Sequence, residues 1–154
     1  MADAEDAIIS IHRSYAEAIL TRTKSVEFRR KLPEISCGTR LWIYATRPTA
    51  AIVGFATVMD IDRATPTAIW RKYRTNAGLD HRTFRAYFDG ANEAIAILLF
   101  AACRIAPIDV SKLGKVRKSF HPPQVLTRLS TSESKVLRAL AEEQPNRKDA
   151  GIMT

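Results

Sequence analysis

Only two cysteines and three histidines occur in the 154 residues, and they are scattered along the chain as Cys37, Cys103, His12, His81 and His121. A disulfide framework needs several paired cysteines, and a structural zinc needs four ligands at short intervals. Neither staple is therefore expected, and no metal ligands are assigned. Glycine is equally scarce, with six residues and no glycine-rich phosphate loop. Long apolar runs are missing too: the longest, residues 94–103, is half of the roughly 20 residues that cross a bilayer as a helix. The opening Met1-Ala2-Asp3-Ala4-Glu5-Asp6 is acidic where a secretion signal would be basic, so a cytoplasmic protein without membrane attachment is expected. Acid is the charge in short supply overall, 16 Asp and Glu against 24 Lys and Arg, for a net +8.

With 46% hydrophobic residues, the chain is one domain's worth, long enough to bury roughly 70% of its unfolded surface. The positive excess favours a polyanionic partner, because neutralising phosphates releases condensed counterions. Each half of the chain, split at Ala77, carries 12 basic and 8 acidic residues, so the charge is not a basic tail on a neutral domain. It is locally uneven. Lys112, Lys115, Arg117, Lys118 and Arg128 lie in a stretch from Val110 to Ser132 without one acid, and residues 13–31 hold six bases to two acids. Brought together, the two stretches would make one electropositive surface.

Ile8 to His12 reads as a short strand, and the Ser14-x-x-Glu17 spacing places a helix N-cap at Ser14. Ser25 to Arg29 alternates as a strand, with Val26 and Phe28 toward the core and Ser25, Glu27 and Arg29 opposite. Arg40 to Thr46 alternates again. Ala51 to Met59 is apolar on both faces and holds Gly54, the mark of a bulge or a close backbone approach. Thr65-Pro66 and Asp80 open two helices that carry Ile69, Trp70, Tyr73, Phe84, Tyr87 and Phe88, one aromatic-rich insertion ending at Gly90. Residues 92–106 suit a buried helix or a buried strand equally by pattern, with Pro107 ending either. Pro122-Pro123 is expected to open a helical turn, Ser130 to Glu133 is a capping box, and the polar chain beyond Gln144 is expected to fray. Short alternating strands interrupted by short helices make an α+β domain. Asp60 and Asp62 read as a solvated turn.

The segments Ser10-Ile11-His12-Arg13-Ser14-Tyr15-Ala16-Glu17 and Lys24-Ser25-Val26-Glu27-Phe28-Arg29-Arg30 resemble the ASCH family of the PUA-like superfamily. Gly38-Thr39-Arg40, Ala51 to Gly54, Tyr87-Phe88-Asp89-Gly90 and Pro122-Pro123-Gln124 follow in the same order. The likeness spans residues 8–129 and leaves 130–154 as a C-terminal helix and tail. It implies a PUA-like β-barrel with surrounding short helices, in which residues 92–106 are a long bent strand or strand pair.

In such proteins a groove between the first helix and the Lys-x-x-Glu-x-Arg strand takes RNA or a nucleotide. Here that implies Lys24 and Arg29 on phosphate and Tyr44 or Trp42 stacked on a base, with a plain core position as the alternative for Trp42. Glu27 would take a base amino group or serve as a structural ion pair, with His12, Ser25, Lys118, His121 and Gln124 also at the groove. The acid-free stretch would then lie beside it. The favoured expectation is an RNA-binding or modified-nucleotide-binding module without a cofactor; nothing in the sequence specifies an oligomeric state. The alternative is an enzyme using the same groove. Some relatives are amidohydrolases acting on acylated cytidine, with a Thr nucleophile where this chain has Glu27. Others are ribonucleases, some assisted by a metal. A metal-free route would use His12 and His121 as base and acid around Lys24, with Glu27 nearby, and requires the two imidazoles within roughly 5 to 8 Å.

Overall fold

Six strands, β1 (Asp6–Ile11), β2 (Val26–Arg29), β3 (Arg40–Ala45), β4 (Ala51–Ala64), β5 (Ala94–Asp109) and β6 (Leu126–Arg128), pair in the order β2-β5-β4-β3-β1-β6. Around this sheet lie α1 (Arg13–Leu20), α2 (Pro66–Tyr73), α3 (His81–Tyr87), α4 (Val110–Leu113) and α5 (Thr131–Glu142). The computed structural model describes residues 5–143, so the tail expected to fray, 144–154, lies outside the described residues. Only the β1–β3 pair is parallel, and the sheet curls into a half-barrel, giving the α+β class read from the sequence.

Period-two alternation splits the side chains of this sheet between separate cores. Ile9, Ile11, Leu41, Ile43, Ile95 and Ile97 fill one. Their neighbours Ile8, Trp42, Tyr44, Ile52 and Ile108 turn to another, closed by Leu113 of α4 and Leu137 and Leu140 of α5. At the β2 end, Val26, Phe28 and Ala96 pack against Ile69, Phe84 and Phe88 of the helical insertion. The caps of that insertion are as expected: the Thr65 side chain accepts from the Ala68 amide, and the Asp80 side chain from that of Thr83. The close approach at Gly54 is also present, since a Cβ there would lie 2.5 Å from the Cys103 carbonyl oxygen and from Leu20 Cδ2.

The structure departs from the sequence reading at four places. The run undecided by pattern is the long strand that the resemblance implies, β5, but it does not end at Pro107: it continues to Asp109, because the pairing passes from Gly54↔Arg104 to Ile52↔Ile108 and leaves the proline in a bulge. A bulged residue owes no N–H to the ladder. The turn expected after Pro122-Pro123 is instead β6, antiparallel to β1 with Ile8 opposite Thr127. Strand β4 runs past Met59 to Ala64, so Asp60 and Asp62 lie on a strand and not in a turn. Helix α1 starts at Arg13 with His12 as its cap, two residues before the expected Ser14.

Strands β2 and β1 do not pair with each other. Across the open side between them, Arg29 Nη2 donates to the Ser10 carbonyl oxygen at 2.6 Å.

Candidate functional site

A pocket of about 240 Å³ opens at this gap, between the start of α1, strand β2 and helix α3. His12, Tyr15, Lys24, Glu27, Arg29 and Tyr87 give it its polar and aromatic groups. The alternation of β2 explains part of this. Val26 and Phe28 are buried against the insertion, which leaves Glu27 and Arg29 on the other side of the strand.

Lys24 is 1% exposed. Its Nζ donates to the Ala77 carbonyl oxygen at 2.5 Å, lies 3.7 Å from Glu27 Oε1, and sits 5.2 and 5.0 Å from the ring centres of Tyr15 and Phe28. Gly78, with φ +67°, lies against its stem, where a Cβ would stand 2.6 Å from Lys24 Cβ. Burial pushes the Lys24 ammonium below the usual lysine range, while the Glu27 carboxylate works against that shift. An amine so placed gives up a proton more readily than one on the surface.

Glu27 is held by a fork. Its Oε2 accepts from Arg29 Nε at 3.0 Å and Nη2 at 2.7 Å, which is the structural ion pair weighed in the sequence. Oε1 is left toward Lys24. His12 is exposed, with Nδ1 accepting from the Ser14 amide at 3.2 Å and lying 2.9 Å from Ser14 Oγ. With Nδ1 as acceptor, the neutral ring carries its proton on Nε2, so it presents a donor to whatever enters the pocket.

The structure thus brings together His12, Lys24, Glu27 and Arg29 of the residues singled out in the sequence. Ser25 lines a neighbouring cavity with Lys24. Trp42 and Tyr44 do not join them: at 0% and 3% exposure both belong to the core under α4 and α5, and Trp42 Nε1 donates to Asp6 Oδ2 at 2.9 Å. A ring with no free face cannot stack on a base, so their expected stacking role is corrected. Lys118, His121 and Gln124 are exposed on the segment between α4 and β6 and are not among the residues that line this pocket. The acid-free stretch reaches β1 beside the site, where the Pro123 and Val125 carbonyls accept from Ser10 Oγ and N. Its Arg117 is turned away to Glu133, Thr127 Oγ1 and the Arg128 carbonyl.

Tyr15, Thr83 and Tyr87 line the pocket and were missed in the sequence. The aromatic insertion was its signal, but no local pattern says that α3 folds back onto β2. For a metal ion the residues are a poor fit: Glu27 is the single carboxylate of the lining and is already shared by Arg29 and Lys24. Among the described residues, no group of three His, Cys, Asp or Glu side chains converges anywhere.

Residues 6–129 match a family described as a domain of unknown function, DUF365. The chain is 38% identical over 141 residues to an ASCH domain-containing ribonuclease of Zymomonas mobilis, covering 92% of this chain and 95% of that protein. A crystal structure of the ASCH protein from Zymomonas mobilis superposes with a TM-score of 0.86 at 38% identity, over 90% of this chain and 96% of the other. Human THYN1 in complex with 5-methylcytosine-containing DNA superposes with a TM-score of 0.55 at 9% identity, over 92% of this chain and all of the other, a likeness of fold alone. The curled half-barrel with its short helices is accordingly of the PUA-like type, and the chain belongs to the ASCH domain family.

Proposed function

We propose that the protein is a ribonuclease that cleaves single-stranded RNA at the pocket around Lys24 and Glu27. The observation that carries this is the 38% identity over 92% of the chain to an ASCH domain-containing ribonuclease, and it favours cleavage over the binding-only module expected from the sequence. The pocket suits the chemistry. It admits one ring-sized group and not a duplex, and the net charge of +8 draws in a polyanion.

Cleavage by the ribose 2′-hydroxyl needs a proton acceptor, a donor for the leaving 5′-oxygen, and donors on the phosphate. Glu27 Oε1, the oxygen not taken by Arg29, accepts the 2′-hydroxyl proton. Lys24 faces the charge that develops on the phosphate and gives its proton to the 5′-oxygen, a role suited to an ammonium whose pKa is lowered by burial. The 3.7 Å between Lys24 Nζ and Glu27 Oε1 then lets the proton return to Lys24. His12 Nε2–H donates to a non-bridging phosphate oxygen.

The test is incubation of the purified protein with single-stranded RNA, with and without chelator, beside Lys24→Met, Glu27→Gln and Arg82→Ala. Parent and Arg82→Ala should cut RNA and spare the same sequence as DNA. Lys24→Met and Glu27→Gln should each lose about 100-fold or more in rate. RNA that stays intact with the parent, yet binds saturably, would return the protein to the binding reading.

A further inference from the structure

A second cavity, of about 220 Å³, shares one lining residue, Lys24, with the first. Its other walls are Ile19, Arg22, Ser25, Leu99 and Phe100, with the backbone of Ala101 and Ala102. Nothing in the cleavage chemistry above uses it. Phe100 is a large apolar side chain left 48% exposed in the middle of a strand. An exposed phenylalanine and an arginine lining one cavity offer the pairing that single-stranded RNA binders use, an aromatic face for a base and a cation for its phosphate.

The backbone supports a built arrangement. Arg22 and Ala101 both occupy the left-handed region, at φ +66° and +54°: Arg22 terminates α1, its amide donating to the Ile19 carbonyl oxygen at 3.1 Å, and Ala101 sits in a bulge of β5. They meet at this cleft, where Arg22 Nη2 donates to the Ala102 carbonyl oxygen at 3.3 Å. The bulge that carries Ala101, between the pairs Phe55↔Cys103 and Thr57↔Phe100, interrupts the β4–β5 ladder beside Phe100. Arg22 is exposed and a guanidinium has five N–H donors, so donors beyond the one on that carbonyl remain for an anion.

We infer that this cavity is a second nucleotide subsite, in which Phe100 stacks on the base next to the nucleotide held at Lys24 and Arg22 contacts its phosphate. The inference rests on the ribonuclease reading for the first pocket and extends it: the substrate is an RNA strand of at least two nucleotides, gripped on both sides of Lys24.

A fluorescein-labelled 2′-O-methyl RNA octamer of mixed sequence, which lacks the attacking hydroxyl, separates binding from cleavage. Its affinity is measured for the parent, Phe100→Ala, Phe100→Leu, Phe100→Trp and Arg22→Asn, and unlabelled RNA is used for cleavage. Asparagine tolerates the left-handed backbone, and Phe100 is half exposed, so the variants should fold as the parent does, as checked by thermal melts. Phe100→Ala and Phe100→Leu should each weaken binding about tenfold, Phe100→Trp should keep it, and Arg22→Asn should weaken it several-fold with a shallower salt dependence. If the parent binds and cleaves while Phe100→Ala binds equally well, the second subsite is overturned and the ribonuclease reading stands. If the parent binds and the Phe100 series behaves as expected but no RNA is cut, the subsite stands as part of a binding module and cleavage falls. If the parent binds no RNA, both fall.

Discussion

At the scale of single residues, Arg29 does more than the phosphate contact implied by the family resemblance. Its side chain is 12% exposed, it grips Glu27 Oε2 through two nitrogens, and one of these also reaches the Ser10 carbonyl across the gap. A lysine has one nitrogen and no fork. Arg29→Lys should therefore cost about 2 kcal/mol of stability, read as a shifted midpoint in urea, and should also slow RNA cleavage by releasing Glu27 from its set position. Unchanged stability would mean that the fork is not what holds the gap. Lys24, Glu27 and Arg29 were legible because a two-residue strand period puts Glu27 and Arg29 on one face and because the segment matched a family pattern. His12 was only half legible. The Ser14-x-x-Glu17 spacing pointed to Ser14 as cap, but Glu17 is taken by Arg104 at 2.9 and 2.6 Å from a distant strand, and the His12 ring fills the cap instead. Trp42 is the core residue weighed beside a stacking role, a choice left open because alternation says which residues share a face and not whether a helix later covers it.

At the scale of elements, α5 shows how a local signal and a tertiary one combine. Ser130 and Glu133 form the capping box read from the sequence, and Glu133 additionally binds Arg117 Nε at 2.7 Å. The hydrogen bond from Arg117, with help from the Ser130 backbone amide, holds the Glu133 carboxyl down to about 2 against the opposing effect of burial. A carboxyl lowered in the folded state contributes stability above the ordinary glutamate range and loses it as pH falls toward 2. The parent should be about 1–2 kcal/mol more stable than Glu133→Gln at neutral pH, allowing for solvent screening, and the two should converge as pH drops from about 4.5 to 2. Denaturant midpoints across that range check it, and a constant gap would place the stabilisation elsewhere. The capping box was readable because its spacing is contiguous. Strand β6 was not, since three residues are too few to show a period and their partner, β1, lies more than a hundred positions earlier in the chain.

At the scale of the whole molecule, the proposed ribonuclease would have its +8 charge govern how an RNA arrives more than where it is cut. A strand spanning both cavities passes about three phosphates over cationic groups, so log K should fall against log salt with a slope near −2. A slope near zero in a titration between 50 and 300 mM salt would restrict recognition to a single nucleoside in the first pocket. The half-barrel gives that pocket one further property. Elsewhere in the sheet the distance between neighbouring strands is fixed by a hydrogen-bond ladder at roughly 4.8 Å, but β2 and β1 are spanned at the site by the Arg29 side chain. The contact across that side of the pocket is therefore made by one side chain and not by backbone pairing. Exchanging that residue should alter the opening without removing a rung of the ladder.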